Sequence, residues 1–363
     1  ADFQCALRKI IRTYQPMQAV EFLTRIHDHL AGWKTGSKDR GALVHMVRQH
    51  LDDFFDSVSD FGDDGDGMIR ITMDTAGKLE KPRDERHVLV IDARGFRAEG
   101  VDPLRVLGCF LDHAHGLGWR RFIIYRTSGQ RGIAMAVGRG STFDVQVDIY
   151  GSPGEYCAAF NMGALVKVHG HAQNFTGMVM HSGTLEIHGD AGKVTGYAAK
   201  GGVFNILGNV VDRGWVCAVS DPRGPGLEVN LVGTACEHLC QAFMGGSVMV
   251  LGLFRDNDGI LRLMPSPYGG AKMLAGASAG EVILYDPLCK LDKAQYEKCA
   301  TRPIDKEKWE NIVSRLLRLD QAFGLGISRE NGHVKVLLGG VQQEMVPEHF
   351  QWIFPLGELE GYH

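Results

Sequence analysis

The chain has 363 residues, 44% of them hydrophobic, and carries 39 Lys and Arg against 43 Asp and Glu, a formal net charge of −4. That length allows more than one structural region around a sizeable core, and the charge balance lacks the basic excess of a nucleic-acid-binding surface. No stretch approaches the roughly 20 apolar residues that cross a bilayer, and eight scattered cysteines with no CxxC pair fit a reducing, cytoplasmic setting.

Residues 1–60 read as a helical region. One pattern runs from Phe3 to Leu30 with Leu7, Ile10, Ile11 and Tyr14 on a face, and a second from Ala42 to Val58 with Leu43, Met46, Val47 and Leu51. Charge is mixed into residues 1–29, unlike the apolar core of a signal peptide. An acidic, glycine-rich link follows from Asp60 to Gly67. Aligning Asp64, Asp66 and Gly67 to a calcium loop places Gly62 at the first ligand and Met73 where the bidentate Glu belongs, so a solvated turn is the better reading.

Residues 68–143 read as a small α/β lead-in, with a strand at Val88–Asp92, a helix from Pro103 to His115 and a strand at Phe122–Tyr125. The glycines between Gly129 and Gly140 do not have the spacing of a phosphate loop and suit tight connections instead.

From 144 to 287 the sequence is periodic. Gly151, Gly170, Gly189, Gly208, Gly233 and Gly252 follow at intervals of 19, 19, 19, 25 and 19 residues. Four before each glycine stand Val147, Val166, Leu185, Phe204, Val229 and Val248; two before stand Ile149, Val168, Ile187, Ile206, Leu231 and Val250. The residues between them, Asp148, Lys167, Glu186, Asn205, Asn230 and Met249, are polar in five of six cases. This is the alternation of a strand with one buried face, repeated at a solenoid period. Further glycines precede the closing one (Gly163, Gly183, Gly202, Gly226, Gly246) or follow it (Gly177, Gly196, Gly214), which predicts three bends per turn and a triangular section. About six coils stacked roughly 4.8 Å apart are expected. Two insertions, Ser220 to Gly226 and Phe254 to Gly276, are expected to project.

After Pro287 the pattern changes. Residues 288–363 read as a helix within Lys293 to Phe323, a hairpin about Glu330-Asn331-Gly332, and an apolar tail that needs a surface to lie on, the chain's own rod or another chain.

Candidate chemistry is sparse. His169 and His188 occupy the same position in consecutive repeats, with His171 and His181 nearby, but no carboxylate or cysteine stands at the equivalent position of the neighbouring coils. Two imidazoles do not make a usual zinc set, so they read as a surface ladder. Cys236 and Cys240 read as a buried structural pair. Asp256, Asp258, Arg255 and Arg262 are the charges an independent enzyme could use on the second insertion. No nucleophile stands with a partner at recognised spacing, so no catalytic and no metal residues are assigned, and cofactor-binding residues remain open.

The runs Ile149 to Cys157 (IYGSPGEYC), Val168 to Gly177 (VHGHAQNFTG), Ile187 to Gly192 (IHGDAG) and Phe243 to Gly246 (FMGG), with the lead-in Ile91 to Gly95 and Ser128 to Gly138, resemble the GXGXG domain family. That family includes the C-terminal domain of the glutamate synthase large subunit, the stand-alone middle subunit of N-methylglutamate synthase and one of the subunits of formylmethanofuran dehydrogenase. The resemblance covers about 88–287. It implies a mainly β chain built on a right-handed parallel β-helix, serving as a non-catalytic scaffold in a cytoplasmic, multi-subunit glutamate-synthase-like oxidoreductase. This chain would bind no cofactor itself; FMN and iron–sulfur clusters would sit on flavin, iron–sulfur or amidotransferase-like partner chains. A formylmethanofuran-dehydrogenase-like complex is the alternative host, and an independent β-helix enzyme a third reading.

Overall fold

The computed structural model describes residues 2–356 apart from 34, 37, 61–66 and 140–144. The acidic link and the end of the glycine-rich segment therefore lie outside the described residues. Three helices come first: α1 (Asp2–Thr13), α2 (Pro16–His29) and α3 (Arg40–Asp56). The single helix expected from Phe3 to Leu30 is thus two, because Pro16 has no N–H to donate and starts a new helix at its first position.

Strands β1 (Met68–Ile71), β2 (Val88–Asp92) and β3 (Arg121–Ser128) follow, with α4 (Leu107–Gly116) between the last two. The repeat supplies β4 (Gln146–Ser152), β5 (Met162–His169), β6 (Ser182–Ile187), β7 (Gly202–Ile206), β8 (Leu227–Leu231) and β9 (Met244–Val250). A small hairpin, β10 (Leu253–Arg255) and β11 (Leu261–Leu263), precedes β12 (Ala279–Tyr285). Then come β13 (Cys299–Arg302), α5 (Lys306–Phe323), the antiparallel strands β14 (Ile327–Glu330), β15 (His333–Leu338) and β16 (Val341–Met345), and finally β17 (Phe350–Pro355).

Twelve strands form one sheet in the order β1-β2-β3-β4-β5-β6-β7-β8-β9-β12-β17-β13. It is parallel from β1 to β12, so the lead-in strands continue the ladder of the repeat. Register places Val147, Val166, Leu185, Phe204, Val229, Val248 and Val282 side by side, all fully buried. The apolar tail lies on its own molecule: β17 pairs antiparallel with β12, Val282 opposite Ile353, and covers the last parallel edge. The Asn331-Gly332 hairpin forms as expected, with Glu330 opposite His333 and both turn residues at positive φ.

Between strands, each repeat runs through a second wall of unusual backbone. Tyr156, Ala158 and Phe160 all have positive φ, and the same three places are taken by Phe175, Gly177, Val179, then Val194, Gly196, Ala198, then Arg213, Trp215, Cys217, then His238, Cys240, Ala242. Left-handed residues alternate with ordinary ones, and their amides bond across repeats in both directions: Phe160 N–H to Met178 O at 2.8 Å, Gly177 N–H to Cys157 O at 2.8 Å. The following-glycine bends anticipated from the sequence are therefore places in this wall: Gly177 and Gly196 fill its middle position, and Gly214 is not left-handed. The second insertion is smaller than expected as well, since Lys272, Leu274 and Gly276 resume the triplet, and the β10–β11 hairpin does not project but packs on the molecule through buried Leu253 and Leu261.

Closing glycines answer to a different constraint. A Cβ on Gly170 would stand 2.6 Å from the carbonyl oxygen of Gly151 in the repeat before, and one on Gly189 would stand 2.7 Å from that of Gly170. Backbone cannot yield there as a side chain would. Replacing Gly170 with Ala is expected to cost about 2–3 kcal/mol of stability, read as a lowered urea midpoint at unchanged slope; a loss within ~0.5 kcal/mol, the range of an ordinary surface change, would contradict the close approach.

Candidate functional site

The strand face opposite the repeat's core was expected to be wet on one side, yet it is roofed by helices. α1 to α3 pack over β1 to β4 through Leu23, Val47 and Phe55 against Val90, Ile123 and Tyr125. Farther along, α5 packs over β8, β9 and β12 through Ile312, Leu316 and Leu319 against Met249 and Ile283. The polar row between the core positions is consequently buried: Glu186 and Asn205 are less than 9% exposed and Asn230 is fully covered. Each polar group there needs a partner.

Under α5 the partner is Arg315, itself 1% exposed. Its guanidinium donates to Asn230 Oδ1 and Ser247 Oγ at 2.6 Å and to Val229 O at 2.5 Å; burial lowers its pKa to about 10. Under α3, Arg126 grips Asp56 with both terminal nitrogens at 2.7 Å, and Asp92 is shared by Arg70, Arg94 and Arg126. Both clusters are internally paired and fasten helices to the sheet.

Between α2 and α5 the roof is open, leaving a cleft of about 620 Å³ lined by Asp28, Lys167, His169, Glu186, His188 and Arg318 among others. Here the two stacked histidines meet a carboxylate. His169 and His188 ring centres lie 5.2 Å apart, His169 also stacks on Tyr150 at 4.4 Å, and Phe323 of α5 meets His188 edge-on at 5.1 Å. Asp28, in the last turn of α2, sends Oδ2 to His169 Nδ1 at 2.8 Å and stands 3.5 Å from His188 Nδ1. Its other oxygen meets His27 Nδ1 at 2.9 Å. The far ring nitrogens are held too, His169 Nε2 by Asp148 at 3.0 Å and His188 Nε2 by Glu186 at 2.9 Å.

Burial works to raise the Asp28 carboxyl, but the imidazoles of His169 and His188 overcome it and hold it well below the usual carboxylate range. The same contest runs the other way at His169, where burial would lower the pKa and the Asp28 and Asp148 carboxylates raise it to about 10. Glu186 is likewise lowered against its burial, by His188 and Lys167. An acid at a helix C-terminus opposes the helix dipole, so Asp28 is placed by this tertiary pairing and not by α2 itself.

The surface-ladder expectation for His169 and His188 is therefore corrected: their side chains are 2% and 6% exposed, because Asp28 of α2, Phe323 of α5 and the stacked Tyr150 enclose them on the floor of the cleft. Asp28 was missed because it comes from a helix 141 residues upstream of His169. The run His27-Asp28-His29 at the end of an amphipathic helix was the available signal. His171 stays outside the cluster, 69% exposed and paired with Asp190, and neither it nor His181 lines the cleft. Cys240 is buried but Cys236 is exposed, so they are not a buried pair; burial raises both thiols, away from the reactive thiolate.

Charges on the second insertion serve the fold. Arg255 donates to Gly324 O at 2.7 Å at the C-terminus of α5, while Asp256 accepts from the amides of Asp258 and Ile260 at 2.9 Å and pairs with Arg262. Among the described residues no helix is long and apolar enough to cross a membrane.

The family described as the GXGXG motif matches residues 129–323, and the chain belongs to it. Comparison with curated proteins gives no match. Removing the charge that organises the cleft, by Asp28→Asn, strands a buried imidazole between unequal partners; urea unfolding is expected to show a loss of roughly 3 kcal/mol, and a loss below ~1 kcal/mol would mean that the cluster does not fasten α2.

Proposed function

We propose that this GXGXG chain is a supporting subunit of a glutamate-synthase-like oxidoreductase, with flavin and iron–sulfur chemistry carried by partner chains. In this reading the strands and the left-handed wall are two sides of a right-handed parallel β-helix of about six coils, extended at one end by the lead-in strands and finished at the other by β17. The assembly works in the cytoplasm, and this chain contributes a rigid surface to it.

One observation carries the reading. Along the left-handed wall runs an apolar strip that the described chain covers only in part. Met135 and Phe160 are 40% and 36% exposed, and from Phe160 successive backbone bonds lead to half-buried Met178 and Val179, then Tyr197, then Val216. A continuous, partly exposed apolar strip of this kind supports a protein interface. On the strand face, by contrast, helices roof the sheet on both sides of the cleft and bring partners to its charges.

The test keeps the backbone comfortable while breaking the strip at its centre. Phe160 and Val179 both stand at left-handed φ, a conformation asparagine tolerates better than either, so the double variant Phe160→Asn, Val179→Asn should melt no lower than the parent. Tagged and expressed in its native cell, the parent is expected to co-purify with a flavin or iron–sulfur protein, seen by its absorbance, and the double variant to recover less than about a tenth as much, a loss of some 1.4 kcal/mol or more in binding. Equal recovery, or a parent that emerges alone and colourless, would overturn the proposal.

A further inference from the structure

We infer that Asp28, His169 and His188 form a binding site for one first-row divalent cation of the zinc type. One ligand atom from each of the three lies within 4.8 Å of the others, and Asp28 Oδ2 is 2.8 Å from His169 Nδ1 and 3.5 Å from His188 Nδ1. Two ligand atoms on a tetrahedral ion with bonds of about 2.0–2.1 Å stand roughly 3.3 Å apart. Both separations from Asp28 match that spacing to about half an ångström, and the two imidazole donors lie within 4.8 Å of each other, within reach of one ion after a small closure.

A second observation points to a missing partner. His188 Nδ1 is buried and has no hydrogen-bond partner, although its ring is 6% exposed and faces Asp28. A buried imidazole nitrogen left so is costly, and a cation between it, His169 and Asp28 satisfies it. The proton shared by His169 Nδ1 and Asp28 leaves to solvent when the ion enters.

The outer partners fit this role. Each ligating imidazole presents Nδ1 to the centre and gives its Nε2 to a carboxylate, Asp148 for His169 and Glu186 for His188. Carboxylates behind ligating histidines fix the tautomer and raise the basicity of the coordinating nitrogen. His27 occupies the remaining oxygen of Asp28, which leaves that carboxylate one oxygen for the ion. Nitrogen and oxygen donors in a set of three suit zinc, cobalt or iron(II) over calcium or magnesium. The cleft lies against the same residues, so a fourth position faces space large enough for water or a small anionic ligand.

Chelator-stripped full-length chain titrated with Co²⁺ and followed by visible absorbance tests the site. One saturable equivalent is expected, with a ligand-field spectrum free of sulfur-to-cobalt charge transfer, and Zn²⁺ should displace it and raise the melting temperature. His188→Phe keeps the ring that packs on Phe323 and removes the ligand; it should lose both the equivalent and the rise in melting temperature with Zn²⁺, whatever its metal-free melt loses as Glu186 gives up its imidazole partner. Glu186→Gln, which leaves all three ligands, should weaken Co²⁺ about 10–100-fold. No saturable binding by the parent, a spectrum dominated by sulfur charge transfer from the exposed cysteines, or equal binding by His188→Phe would each overturn the inference.

Discussion

Everything in this molecule depends on successive repeats meeting in register. The strand side alone would tolerate little slippage, because a one-residue shift exchanges Val166 or Leu185 in the core for Lys167 or Glu186. The left-handed wall tightens the demand, since amides there bond to the repeat ahead and the repeat behind within a few residues of each other. A repeat can lengthen only where neither ladder runs. The 25-residue interval obeys this: Ser220 to Gly226 leaves the stack after the wall of its repeat, and pairing resumes with Gly202 opposite Leu227.

Register also creates the electrostatic problem that the helices solve. Stacking aligns Asp148, Lys167, Glu186, Asn205 and Asn230 into one polar row, and packing helices on that row removes the water that would have solvated it. Burying such groups unpaired costs several kcal/mol each. Compensation is therefore built into each roofing element. α5 brings Arg315 and Arg318, the latter onto Glu228 at 2.5 Å; α3 brings Asp52 and Asp56 to the arginines of β1 and β3; α2 brings Asp28 to the histidines. Helices whose apolar faces could have docked in several orientations are oriented by the charge they carry.

Much of the sheet was legible in the chain because its determinants are local and periodic. The apolar pairs around each closing glycine, the Asn331-Gly332 turn and the Val88–Asp92 strand are all readable within a few residues, and all form. What was not legible is what depends on two distant segments meeting. Alternation showed that Lys167 and Glu186 point away from the core but could not show that helices from both ends of the chain close in around them. Asp28 could be recognised as a partner for His169 only once α2 had a place. The left-handed wall escaped for another reason: Val179, Val194 and Trp215 are residue types that avoid positive φ, so residue preference pointed the wrong way.

That last misfit says something about how the wall is held. A left-handed L-residue costs roughly 1–2 kcal/mol, and three fall in every repeat, with glycine in only some of them. Such strain persists where surrounding structure over-determines the backbone, and here each strained amide bonds to an adjacent repeat while the middle residue of each triplet, Ala158, Trp215 or Cys240 among them, is buried in the core. Burial accounts for the middle position. It does not account for Phe160 and Val179 at the outer place, where asparagine or glycine would relieve strain and the side chain is only partly covered by its own chain. Bulky apolar residues kept at strained, partly exposed positions make sense when something else covers them, and this is the ground for setting the proposed partner contact on the wall and not on the strand face.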